Sequence, residues 1–284
     1  MSGTLFVVAT PIGNLEDITL RALRVLREAD VIAAEDTRRT AKLLAHFSIA
    51  GSTLSFHEHN IRTRVPQLLA RLERGEAVAL VSDAGTPGIS DPGLELIRAC
   101  WEKGIPVDPI PGASAPLAAA VASGFRLDPL TIFGFAPARA KDRKTWLSRL
   151  QKVSDTLTFF ETPHRIEQTL SEMPTYFGGR PILVARELTK RHQELIRFND
   201  GAFIGRVPIA KGEFTVVVGP HEPVVSVPNQ PSDELIYKEF CRMTAAEASG
   251  RRSALSAIAK KYGRSAKSVY AIVERLKKPD ADPA

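Results

Sequence analysis

The residues of this sequence best suited to chemistry sit in segments far richer in Gly, Pro and Asp than a connection needs. SDAGTPGISDPG, residues 82–93, holds three Gly, two Pro and two Asp. Gly lets backbone N–H and C=O groups approach a ligand unobstructed, and Asp83 offers a carboxylate to a hydroxyl or an ammonium. The structural alternative is a tight turn in which Asp91 caps the next helix. TPIGNLED at 10–17, PGASAP at 111–116 and ETPHR at 161–165 have the same character. Other chemistries lack their residues. There is no GxGxxG, GxxxxGK[ST], HExxH or GxSxG, which disfavours ordinary dinucleotide binding and P-loop hydrolysis. His57 and His59 would point the same way on an extended segment, but no third ligand accompanies them and no metal is expected.

Each of these segments follows a short β-branched run. Residues 4–9, 31–34, 53–56, 77–81 and 106–110 read as strands. Helical periods lie between them, with Leu20, Leu23 and Leu26 on one stripe of 18–29, and Val65, Leu68, Leu69 and Leu72 on one stripe of 62–74. The alternation predicts a largely parallel sheet covered on both faces, with ligands bound beyond the carboxyl ends of its strands. The pattern then restarts. Residues 131–135, 157–161, 182–187, 194–198 and 214–218 are strand-like, with helices over 141–152 and 166–173, and the closer spacing of the later strands predicts a mixed sheet. The domain organisation expected is 1–123 and 124–219 as two α/β domains, 220–231 as a Pro-rich linker, and 232–284 as a basic helical tail.

Charge supports that division. The chain of 284 residues carries 38 Lys+Arg against 32 Asp+Glu. Nine of the bases and one acid, Glu274, fall between 249 and 278, giving that segment +8 and leaving 29 bases and 31 acids elsewhere. A near-neutral body with a basic module favours a polyanionic partner, nucleic acid above membrane, over a merely solvated helical face. Helices are expected over 233–248, 251–261 and 266–277, and Ala259, Gly263 and Val269 have the spacing of a helix-turn-helix. Hydrophobic residues make up 44% of the chain, which excludes disorder as its main state. Apolar runs too short to span a bilayer, a start without a basic leader, and two distant cysteines, Cys100 and Cys241, fit a cytoplasmic protein.

The set VATPIGNLEDIT, AAEDTRRTAKLL, SFHEHN, LVSDAGTPGISDPG, IPGASA, FFETPHRI, ARELTKRHQE and GEFTVVV, in this order across residues 4–219, resembles the ribosomal RNA small subunit methyltransferase I family, a branch of the tetrapyrrole methylase superfamily. The resemblance implies two α/β/α domains with mixed sheets and an interdomain cleft, plus a small C-terminal helical domain. It implies S-adenosylmethionine as cofactor, 2′-O-methylation of a cytidine ribose in the decoding region of 16S ribosomal RNA as activity, and a homodimer acting on RNA within the small ribosomal subunit. Carried over by motif, the cofactor lies against Pro11, Ile12, Asp83, Ala84, Gly85, Thr86, Ser114, Ala115, Phe160 and Glu161. The first loop departs from the superfamily: its GxGxGD is here TPIGN, which argues against a porphyrin or corrin substrate.

Methyl transfer is an in-line displacement, so positioning supplies much of the rate, and a group that takes the hydroxyl proton helps. The candidates are Glu35, Asp36, His57, Glu161 and Lys190, of which Asp36 is the expected base. Structural alternatives are a helix cap for Asp36 and an ion pair for Glu161. RNA contacts are expected at Arg38, Arg39, His57, Arg139, Lys141, Arg143 and Lys144, and in the tail at Arg251, Arg252, Lys260, Lys261, Arg264 and Lys267. The rival readings are a tetrapyrrole-type small-molecule methyltransferase and a non-enzymatic, ligand-sensing nucleic-acid regulator.

Removing the chain from Ser232 onward is expected to leave the α/β body folded and able to bind cofactor. RNA affinity falls and its salt dependence becomes shallower, because fewer phosphate contacts release fewer counterions. Filter binding across a salt series checks this; an unchanged affinity and slope contradict a docking role for the tail.

Overall fold

The computed structural model describes residues 2–199, 211–221, 232–245, 250–262 and 264–277. The chain divides into two compact units, Met1–His221 and Glu222–Ala284.

The first unit opens with five strands, β1 (Leu5–Val8), β2 (Val31–Ala34), β3 (Thr53–Ser55), β4 (Val78–Val81) and β5 (Val107–Ile110). They form a sheet in the order β3-β2-β4-β1-β5, and every pairing is parallel. Apolar residues at successive positions of β2 serve opposite faces, since strand side chains alternate. Val31 and Ala33 join Leu5, Leu68, Leu72 and Leu96 in one core, while Ile32 and Ala34 join Val8, Val25, Leu26 and Leu44 in another. The helices α1 (Leu20–Glu28) and α2 (Thr37–His46) cover the second of these faces, and α3 (Ile61–Glu73) and α4 (Leu94–Glu102) the first. Thr19 starts α1 by accepting a hydrogen bond from the Ala22 amide.

After α5 (Ala115–Ser123), which ends at Gly124 with a left-handed φ of 67°, the chain enters a second sheet. Its strands are β6 (Leu130–Phe135), β7 (Thr156–Glu161), β8 (Ile182–Arg186), β9 (Glu194–Phe198) and β10 (Phe214–Val218), in the order β6-β7-β10-β8-β9. Only β6 and β7 run parallel; the other pairings are antiparallel. The mixture expected of the sheets therefore resides in this one. The helices α6 (Ala140–Leu150) and α7 (Ile166–Phe177) bury Leu147, Leu150, Leu170 and Phe177 against one face. On the other face Ala119 of α5 packs with Leu183, Ala185 and Val217. An almost uniformly apolar, Ala-rich α5 is suited to such close approach.

The carboxyl end of the first sheet is drawn together by its own loops. The Thr10 amide donates to Gly85 O at 2.9 Å and the Gly85 amide to Thr10 O at 3.0 Å. Gly112 comes so close to the end of β1 that a Cβ there would meet Ala9 Cβ at 2.8 Å.

The second unit has three helices, α8 (Asp233–Ala245), α9 (Arg251–Lys261) and α10 (Ala266–Leu276). Ile236, Phe240, Ala254, Ile258, Val269 and Val273 make its core. Ala259 and Val269 of the expected helix-turn-helix are both buried in that core. Gly263, linker residues 222–231, the end of the helix expected to reach 248, and Lys278 lie outside the described residues. No helix among the described residues is long and apolar enough to cross a membrane.

Candidate functional site between the two sheets

Strands β2 and β4 are neighbours, and the loops that leave them are tied by their own carboxylates. The Asp83 amide donates to Glu35 Oε2 at 3.2 Å, and the Asp36 amide donates to Asp83 Oδ1 at 3.0 Å. The other Asp83 oxygen faces the Arg39 guanidinium at 3.3 Å. Backbone N–H groups at the end of a parallel sheet need such partners, because the next strand residue is no longer there to supply them.

Next to this lock lies a cavity of about 460 Å³, lined from the first sheet by the loops at Ile12, Glu35, 83–86, 89–91 and 114–116, and from the second by Phe135, 160–163 and 213–215. Phe135, Phe160 and Phe214 give it aromatic walls; Phe135 and Phe160 have ring centroids 5.2 Å apart. Glu35, Asp83 and Asp91 give it negative charge. Burial raises the Glu35 carboxyl above its ordinary range, opposed by the Asp83 amide and reinforced by the Asp83 charge. Asp91 is pushed up to about 6, first by burial and then by Glu35, against a hydrogen bond from Ser82. Ser114 Oγ is buried without a hydrogen-bond partner among the described residues, and it stands at the start of α5, whose free amide groups and dipole favour an anionic group.

Nine of the ten residues the motifs assign to a cofactor line this one space; the tenth, Pro11, lines an adjoining hollow. Glu161 is 1% exposed, and its carboxylate accepts from the Thr162 amide at 2.8 Å and Thr169 Oγ1 at 2.5 Å and pairs with Arg165 at 3.2 Å. Its task is to hold the end of β7 against α7.

Two expectations and one structural alternative need correction. Asp36 lines neither space: it is the N-cap of α2, accepting from the Arg38 amide at 2.8 Å and from the Arg38 guanidinium. Those hydrogen bonds hold its carboxyl well below the usual carboxylate range, so as a proton acceptor it is poorly placed and weakly basic. Arg143 is buried, not presented to RNA; it pairs with Glu172 at 3.0 Å and donates to the carbonyls of Pro137 and Ala138. Asp91 does not cap α4, whose N-cap is Gly93 with no side-chain bond.

Arg38, Arg39, Arg139, Lys141 and Lys144 are exposed. His57, two residues past β3, is half-buried, with Asn60 beside Nε2, no partner for Nδ1 among the described residues, and His59 at 5.9 Å between ring centroids. No group of three or more His, Cys, Asp or Glu among the described residues could hold a metal ion. In the second unit Arg251 pairs with Glu274, Lys261 with Glu239 and Arg264 with Asp233. Arg252, Lys260 and Lys267 are exposed and make no ion pair among the described residues. The motif reading missed Asp91, Phe135, Glu213, Phe214 and Thr215 as lining residues. Asp91 sits inside the Gly-rich segment that drew notice to Asp83, and Glu213, Phe214 and Thr215 belong to the GEFTVVV motif, which reads as a strand and not as a ligand loop.

A family model described as Tetrapyrrole (Corrin/Porphyrin) Methylases matches residues 4–201. Proteins named Ribosomal RNA small subunit methyltransferase I are similar over most of the chain. That of Halalkalibacterium halodurans is 48% identical over 218 residues, 76% of this chain and 75% of that one. That of Thermotoga maritima is 46% identical over 222 residues, 78% of this chain and 100% of that one. Among solved structures, diphthine synthase superposes with a TM-score of 0.60 at 14% identity, over 76% of this chain and 90% of that one. The uroporphyrin-III C-methyltransferase of Thermus thermophilus complexed with S-adenyl homocysteine does so with 0.53 at 20%, over 76% and 97%. The architecture is the two-sheet α/β fold that these structures share. The chain belongs to the Tetrapyrrole (Corrin/Porphyrin) Methylases, and within them to the ribosomal RNA small subunit methyltransferase I family.

Asp91 gives the site a pH signature. Its carboxyl is raised in the folded state, so its contribution to stability is full below the ordinary Asp value of about 3.9 and is lost as pH rises through about 6. Asp91→Asn, without ligand, is expected to raise Tm at pH 7.5 and to leave it unchanged near pH 4. A lower Tm at both values contradicts the desolvated placement.

Proposed function

We propose that the protein transfers a methyl group from S-adenosylmethionine to the 2′ oxygen of a cytidine ribose in the decoding region of 16S ribosomal RNA. The observation that carries this reading is the cavity between the sheets, gathered from six separate motif segments. Its make-up fits the cofactor: aromatic walls suit an adenine, Ser114 Oγ lacks a partner among the described residues, the start of α5 suits a carboxylate, and Glu35, Asp83 and Asp91 suit ammonium, sulfonium and ribose hydroxyls. The names of the relatives supply the substrate. TPIGN in place of a glycine-rich first loop speaks against a tetrapyrrole.

When bound, the cofactor supplies an electrophilic methyl whose C–S bond breaks with its electron pair left on sulfur, as the acceptor oxygen forms the new C–O bond. The chain's residues provide position and field. Asp83 is fixed by the Asp36 amide and Arg39, and with Glu213 it is one of two carboxylates that line both the cavity and the hollow beside it. The hydroxyl proton passes to a carboxylate on this shared wall. Negative charge there also stabilises the cationic donor until its charge is lost, which favours product release.

The same reading takes in a cytoplasmic setting, an assembled small subunit as the partner and a homodimer. On α5, Leu117 and Val121 lie one turn apart and are 50% and 72% exposed, an apolar face suited to a second copy.

The test uses radiolabelled S-adenosylmethionine and small ribosomal subunits lacking the modification. Label is expected in 16S RNA at one nucleotide whose 3′ linkage resists alkaline cleavage, since a 2′-O-methyl removes the attacking hydroxyl. Label on a base, or in no RNA, refutes the reading.

A further inference from the structure

A second hollow, of about 290 Å³, adjoins the cofactor cavity. It is bounded by residues 10–13 of the first loop, the first two turns of α2, Ser82 to Ala84, Lys190 and Glu213. Ile12, Arg39, Asp83, Ala84 and Glu213 line both spaces, so the two meet along these residues.

The two spaces differ in charge. The larger is rich in carboxylates, whereas the hollow brings three cations, Arg39, Lys42 and Lys190, against Asp83 and Glu213. Lys190 is spent locally, its Nζ 2.8 Å from Glu187 Oε1 and 3.0 Å from Glu213 Oε2. Arg39 is partly engaged by Asp83. Lys42 is exposed and has no ion pair among the described residues. The positive charge left without an ion pair among the described residues is therefore that of Lys42, on α2 and outside the residues shared with the cofactor cavity.

The turn that brings Lys190 to the hollow is held by its own hydrogen bonds. Glu187 and Thr189 adopt positive φ, 49° and 65°, without being glycine. Such strain persists where the surroundings over-determine it, and it collects at ligand sites. Here the Glu187 amide donates to Glu213 O at 2.9 Å, the Glu213 amide to Glu187 Oε1 at 2.9 Å, and the Thr189 amide to Gln193 Oε1 at 2.6 Å. The first loop is clamped onto this turn: the Asn14 amide donates to Thr189 Oγ1 at 3.0 Å, and a Cβ on Gly13 would meet Lys190 Cγ at 2.4 Å. TPIGN and ARELTKRHQE, two motif segments that the cofactor cavity scarcely uses, are thus accounted for by the hollow.

We propose that this hollow receives the acceptor nucleotide as a single unit extruded from folded RNA, with its ribose against the shared wall and the flanking phosphates on Arg39 and Lys42. The proposal rests on the methyltransferase reading of the adjoining cavity. A space of this size admits one nucleotide and excludes a base-paired stem, so the target leaves its stack to enter. The ribose hydroxyl then meets the methyl directly, beside Asp83 and Ala84 where the two spaces adjoin, while the polyanionic backbone stays at the basic mouth.

Lys42 separates this idea from its parent, because it touches neither the cofactor cavity nor the core. S-adenosylmethionine affinity is measured by calorimetry, and single-turnover methylation is followed as a function of subunit concentration at several salt concentrations. Lys42→Ala is expected to keep the cofactor affinity, to require several-fold more RNA for half-maximal rate, and to lower the steepness of the log–log salt dependence by about 1, as for one lost phosphate contact. Lys42→Glu is expected to be worse and Lys42→Arg close to wild type. Wild-type RNA dependence in both Lys42→Ala and Lys42→Glu overturns the acceptor site while leaving the methyltransferase reading intact. Failure of the wild-type protein to label any RNA overturns both.

Discussion

The capture of the Asp83 amide by Glu35, and of the Asp36 amide by Asp83, is the constraint on which the site depends. Two parallel strands end side by side, their exit loops have no further ladder to join, and two carboxylates substitute for it. Their charges must then remain at the rim of the sheet, half withdrawn from water. That placement raises Glu35 and Asp91, fixes the first turn of α2, and aims Arg39 at the wall between the two spaces. A site made acidic in this way is prepared for a cationic ligand before the ligand arrives.

The second sheet completes what the first begins. Phe160 and Phe214 lie near the ends of adjacent antiparallel strands, with Phe214 opposite Glu161 in register, and they close the cavity from the far side. Desolvation of the carboxylates in this cavity is destabilising. The buried framework around it offsets that cost: Glu161 saturated by Thr162, Thr169 and Arg165, and Arg143 by Glu172 and two carbonyls. The helical unit stands on a core of its own and draws on Asp233, Glu239 and Glu274 to neutralise part of its basic charge.

Strands were legible because β-branched runs such as VIAA, VALV and FTVVV are buried on both faces and bounded by Gly, Pro and Asp. Helices α2, α4 and α5 were not read from periodicity. α2 buries only Thr40 and Leu44, and α4 only Leu96 and Cys100, too few positions to define a stripe, while α5 is apolar on every side. Loop composition drew notice to the segments that line the cavity, while the glycines after β4, Gly85, Gly88 and Gly93, all take positive φ and so also serve the turn itself. Partnership was not legible. Nothing in the local sequence tells that Arg143 turns inward to Glu172, 29 residues on, or that Asp36 spends its carboxylate on Arg38, because burial and pairing are decided by residues distant in sequence or by the start of a helix.

The central claim is that loops from both sheets close around one cofactor. Amide hydrogen exchange with and without S-adenosylmethionine tests it most directly, because ligand contact and loop ordering both slow local opening. The account predicts slower exchange in 83–91 and 114–118 from the first sheet together with 160–163 and 213–215 from the second, and no change in 251–277. Protection confined to the loops of a single sheet, or found only in the helical unit, contradicts it.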